Sequence, residues 1–233
     1  MNKILKINIT VLLAVVVFLA VFGVIKKQTY TDLFAAKETL LEDGVFDDFG
    51  VGLVSKNITK NIIELWRKEL DEQSIIVQLE ITSEPEFSPC AYGYCARVKH
   101  VFKGGISVGS EIFLTFEGWL PFLKAKELML PVEYAINISF HDFLKKNHEY
   151  LVFIDRKLET PFRDNIYTGK GYSIAPVFDY GETSSIPGKT ISDTSSTVLY
   201  RDIKGSEFLT DSEEAIEMLY DFKKYLVEKY PAK

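Results

Sequence analysis

The sequence predicts a mainly β domain with flanking α-helices, carried behind an N-terminal transmembrane helix. Three observations predict it. Residues Ile7 to Ile25 are almost wholly apolar. From Ser74 onward several short segments alternate apolar and polar residues with a period of two, as half-buried strands do. The stretch Thr210 to Pro231 returns to the helical period.

The apolar run comes first. It is interrupted only by Asn8 and Thr10, and lysines flank it at Lys3, Lys6, Lys26 and Lys27. About 20 apolar residues span a bilayer core as a helix, so residues 1–27 read as a membrane anchor with a short cytoplasmic tail. Cleavage of a signal peptide near Ala20 or Gly23, with secretion of the remainder, is the alternative. The positive charges at the two ends nearly tie, so charge bias does not orient the segment. A short basic N-terminus normally stays inside, which places the C-terminal bulk outside the membrane.

Charge limits the partners. Four of the 27 basic residues fall in residues 1–27, which hold no acid, leaving 23 against 33 acidic residues in the remainder. That acidic excess disfavours nucleic acid, which attracts positive patches.

Residues 28–73 read as a helical connector. "YTDLFAAKETLLEDG" reads as a short helix that Gly44 stops, and "VFDDFGVGLVS" as a loop. "NITKNIIELWRKELDEQS" places Ile58, Ile62, Leu65, Trp66 and Leu70 at helical spacing, with Asn57 as cap. Residues 74–205 read as a barrel domain with a loop-rich extension. In "SIIVQLEIT", Ile75, Val77, Leu79 and Ile81 point one way, and Gln78, Glu80 and Thr82 the other. "YCARVKHVFKGG" is a strand in which Val101 falls out of phase with Val98, so a bulge is expected near Lys99–His100. "GGISVG" is a turn, and "SEIFLTFEG" a strand with Ile112, Leu114 and Phe116 inward. "SFHDFLKKN" is expected to form a short helix, and Tyr150 to Ile154 a strand apolar on both faces. "GYSIAPVF" and "TVLYRDI" are weaker strands. Residues 206–233 read as an amphipathic helix, with Thr210 and Glu213 as a capping box and Ala215, Ile216, Leu219, Phe222 and Leu226 as its apolar face.

The run "VKHVFKGGISVGSEIFLTF", followed later by "HEYLVFIDRK", resembles the OB-fold module of tissue inhibitors of metalloproteinases and netrin C-terminal domains. It is closest to bacterial extracytoplasmic versions. The matching residues are Val101 to Gly104, Val108–Gly109 and Tyr150 to Phe153, within roughly 74–158. The resemblance implies a five-stranded OB-like barrel. It does not imply inhibition of a protease, because the first cysteine here is Cys90 rather than an N-terminal zinc-chelating one, and the multiple-disulfide framework is missing.

Cys90 and Cys95 are the only cysteines. With the domain exported, a local disulfide closing "AYGY" is the reading taken, with Gly93 adopting an unusual backbone angle. A metal site and free thiols are the alternatives. A structural zinc needs four ligands, and beyond His100 no further Cys or His is close in sequence. "PGKT" at Pro187–Thr190 lacks the spacing of a phosphate loop. His141–Asp142 and His148–Glu149 read as exposed polar positions. No catalytic set, cofactor site or metal site is recognised. The functional expectation is therefore a binding module for an extracellular protein, peptide or glycan, not an enzyme. A hydrolase using carboxylates that the sequence does not single out is the alternative.

Overall fold

The computed structural model describes residues 44, 46–88, 91–117, 122–124, 132, 134–136, 138–161, 163–171, 174–191 and 196–233. All the described residues belong to one compact unit, within residues 38–233. The expected membrane helix and the helix expected before Gly44 lie outside the described residues. Among the described residues, no helix is long and apolar enough to cross a membrane.

Five strands close a barrel. They are β2 (Ile75–Ile81), β4 (Ala91–Lys103), β5 (Glu111–Glu117), β8 (Glu149–Leu158) and β9 (Ile166–Gly169). β2 pairs antiparallel with β4 and β8, and β4 with β5. β9 then pairs parallel with β5 and antiparallel with β8, which closes the ring. Mainly antiparallel pairing in this order is compatible with an OB-like fold. A short β3 (Glu86–Ser88) pairs beside β4, and β10 (Val177–Asp179) beside β8.

Alternation in the sequence builds the interior. Val77, Leu79, Ile81, Tyr94, Ala96, Val98, Ile112, Leu114 and Phe116 are all buried. The bulge expected near Lys99–His100 is present. His100 pairs with Gln78 and Val98 with Leu79, so Lys99 is the extra residue. Without it, Val101 would face away from Val77, its partner across the ladder. The hairpin from β4 to β5 turns through Gly104 and Gly109, at φ of 110° and 81°. A Cβ at Gly104 would also lie 2.9 Å from the Ser74 carbonyl, so this corner requires glycine twice over.

A second core lies outside the barrel. Helix α1 (Lys56–Glu69) and helix α2 (Glu213–Lys229) cover the outer faces of β2 and β8. Trp66 stacks on Phe222 at 5.7 Å and meets Phe178 edge-on at 5.6 Å. Ile76, Leu151 and Phe153 project into the same cluster. This explains why Tyr150 to Ile154 is apolar on both faces: one side fills the barrel and the other packs under the helices. The α1 segment is part of this core. Its buried stripe is Thr59, Ile62, Ile63, Trp66 and Leu70, and Ile58 and Leu65 are exposed.

β1 (Gly50–Gly52), β6 (Phe122–Lys124), β7 (Tyr134–Ile136) and β11 (Thr197–Leu199) form a small second sheet in the order β11–β1–β7–β6. The expected loop at 45–55 therefore contains a strand.

Four further expectations are corrected. Gln78 is fully buried, not on a solvated face; its side chain donates to Glu149 and accepts from the Lys233 backbone at 3.0 Å. The segment from Ser139 to Asn147 is not a helix. Ser139, Phe140 and Asn147 have positive φ, and the backbone donors are spent elsewhere. Leu144 N–H donates to the Tyr94 hydroxyl at 3.1 Å, Lys145 N–H to the Tyr150 hydroxyl at 2.8 Å, and Phe143 N–H to Asp142 at 2.8 Å. The cap of α2 is Ser212, whose hydroxyl accepts from Ala215 N–H at 3.4 Å, while Thr210 is buried in a bridge to Val54. The cap position of α1 is Ser55 rather than Asn57.

Candidate functional site

The two loops at one rim of the barrel are tied by a single arginine. Phe87 on β3 packs against Phe46, Tyr92 and Phe143. Strand alternation then turns Glu86 outward. Arg163, in the connection from β8 to β9, donates to both oxygens of Glu86 at 3.1 Å each. Its guanidinium lies 3.9 Å from the centre of the Phe113 ring on β5. The same guanidinium donates to the Cys95 thiol sulfur at 3.4 Å, and that thiol reaches Glu86 at 3.7 Å. Arg163 thus joins the β2–β4 connection, the outer faces of β4 and β5, and the β8–β9 connection. A planar fork suits this: it binds a carboxylate through two N–H groups and stacks on an aromatic face. Both carboxylate and guanidinium are part-exposed, so the pair contributes at most about 1 kcal/mol to stability. Its effect is on loop geometry.

Glycine shapes this surface. A Cβ at Gly93 would lie 2.6 Å from the Leu114 carbonyl and 2.7 Å from the Phe113 ring. Gly93 therefore lets Phe113 lie flat across β4 beneath Arg163. Its φ is not positive, so close approach demands glycine here, not an unusual backbone angle.

Cys95 is a half-buried free thiol. Cys90 lies outside the described residues, and the expected Cys90–Cys95 disulfide with it. Ala91 to Cys95 pair without interruption with β5.

The second polar cluster is buried between α2 and the barrel. Lys223 Nζ lies 2.7 Å from Glu207 Oε2 and 2.7 Å from Thr183 Oγ1, and Thr183 also bonds Glu207. The other Glu207 oxygen accepts from Asp179 N–H at 3.0 Å. Asp179 in turn holds His148 Nδ1 at 2.9 Å and Gly181 N–H at 2.7 Å. Nearby, Asp142 accepts from the Tyr200 hydroxyl at 2.7 Å and Gly205 N–H at 2.7 Å. Burial pushes the Asp142 carboxyl above its usual range, although these donors pull it back.

His141 and Asp142 are buried, and His148 is half-buried on Asp179, so neither pair sits on an open surface. His100 lies on β4 against Phe102. The described residues contain no group of three or more His, Cys, Asp or Glu placed to hold a metal. The described residues that follow "PGKT" begin no helix, and Gly188 packs against Leu53.

The sequence did not single out Arg163, Glu86, Phe113 or the Glu207–Lys223 pair. Glu207 and Lys223 are 16 residues apart on different elements, and only the fold brings them together. No family model matches this chain. No curated protein matches it either.

Proposed function

We propose that this chain is a membrane-anchored extracytoplasmic binding module. In this reading the partner, a protein, peptide or glycan, meets the outer face of β4 and β5. The observation that carries it is the Arg163 clamp. OB-folds commonly bind through the face of their second and third strands and the loops after the first and fourth. Here those strands are β4 and β5, and Glu86 and Arg163 stand in those two loops. The resemblance to the netrin-type module rests on the VFKG corner and the Tyr150–Phe153 strand, and it supports the same reading. The acidic charge of residues 28–233 argues against nucleic acid.

Export and anchoring rest on the apolar run of residues 7–25; secretion after cleavage remains the competing outcome. Hydrolysis by carboxylates is less well supported. Asp142, Asp179 and Glu207 are each occupied by backbone and side-chain donors, which suits a structural lock better than an acid or base that must exchange a proton with substrate.

The test is a photoreactive phenylalanine analogue at position 113 of the full chain in intact cells. Crosslinking to an extracytoplasmic partner, lost on Arg163→Ala and absent for the same probe at Lys103, supports the reading. Adducts that are equal at both positions, or that ignore Arg163, contradict it.

A further inference from the structure

An open groove of about 410 Å³, sharing no residue with the Arg163 clamp, lies between α2 and the loop that follows β10. Its walls include Tyr180, Glu182 and Thr183 on the loop side and Tyr220, Lys224 and Val227 on the helix. Positions 220, 223, 224 and 227 form one helical stripe, so the helix wall is a single continuous face.

The groove is preformed. The Tyr180 hydroxyl donates to the Tyr230 carbonyl at 2.7 Å, and the Tyr220 hydroxyl lies 3.0 Å from Ser185 Oγ. Both rings are thereby held, each half-buried. The floor is the lock of Lys223, Thr183 and Glu207, in which the charges are already matched. Asp179, also in the lining, is buried and engaged by His148 and the Gly181 N–H. The exposed charges that remain are Glu182 on one wall and Lys224 on the other, opposite in sign. Its volume falls within the range of small-molecule sites.

We propose that this groove binds a neutral saccharide unit. A pyranose offers an apolar C–H face to a tyrosine ring and hydroxyls on its edge. Those hydroxyls donate to the Glu182 carboxylate and accept from the Lys224 ammonium. An ionic ligand would leave one of the two walls opposed to it. A purely apolar ligand would strip water from both charges without return. The proposal uses residues remote from the Arg163 clamp, so it stands or falls separately from the rim reading.

The experiment uses the full chain in a detergent without a sugar headgroup. Saturation-transfer NMR is recorded with cellobiose, maltose and N,N′-diacetylchitobiose, and with inorganic phosphate and putrescine as charged probes. Transfer to at least one disaccharide is expected, with an affinity in roughly the millimolar range. Lys224→Ala and Glu182→Ala should each weaken it about fivefold or more, with an unchanged melting temperature, and Arg163→Ala should leave it intact. Absence of transfer from all three disaccharides overturns the proposal. So does binding that survives both groove substitutions, or preferential binding of phosphate or putrescine.

Discussion

Lys223 Nζ and Glu207 Oε2 lie 2.7 Å apart in a site where the lysine side chain is 11% exposed and the glutamate 2%. This pair fastens α2 to the loop at residues 206–210 and, through Asp179, to β10. Removing one partner leaves a buried charge without compensation, which costs about 3–5 kcal/mol in such sites. Lys223→Met should therefore destabilise the domain by that amount in a urea titration. Adding Glu207→Gln should restore part of the loss, because it removes the uncompensated charge and keeps an acceptor for the Asp179 N–H. A single substitution costing under about 1 kcal/mol would show that water reaches the pair.

Cys95 is a free thiol that accepts from Arg163. Alkylation in denaturant without reductant, followed by peptide mass mapping, should modify Cys95. A Cys95 that is modified only after reduction would contradict this.

Gly93→Val should destabilise the barrel by about 1–3 kcal/mol, the usual range for overpacking. The new side chain meets a backbone carbonyl and the Phe113 ring, and it would also lift that ring from under Arg163. Chemical denaturation measures the first effect. The crosslinking yield at position 113 measures the second.

The pH dependence carries a distinctive sign. Burial raises the Asp142 carboxyl above its ordinary, unfolded value. The folded state then holds this proton more tightly than the unfolded state. Stability from protonated Asp142 is fully present below the unfolded value and is lost as pH rises through the folded one. Asp142→Asn should remove that fall from a plot of stability against pH. It should also lower stability overall, because an amide nitrogen would face the Gly205 N–H. An unchanged pH slope would contradict this.

Much of the barrel was legible because its signals are local. Ile112, Leu114 and Phe116 alternate without exception, and the phase slip between Val98 and Val101 located a real bulge. The helix expected at Ser139–Asn147 failed because its donors are captured by Tyr94 and Tyr150, residues far along the chain. The Ser212 cap was missed for a related reason: Thr210 looks like a cap until its bridge to Val54 buries it. The rim clamp was illegible because Glu86, Cys95, Phe113 and Arg163 share no spacing pattern. They meet only when the parallel β5–β9 pairing closes the barrel.

The proposed placement outside the membrane underlies the rim partner, and one reporter reads it directly. Val108 sits at the tip of the β4–β5 hairpin and is 63% exposed. Val108→Cys, with both native cysteines replaced by serine, is treated in intact cells with a membrane-impermeant maleimide. Labelling before lysis, with the chain retained in the membrane fraction, is the predicted result. Labelling only after lysis would contradict the account.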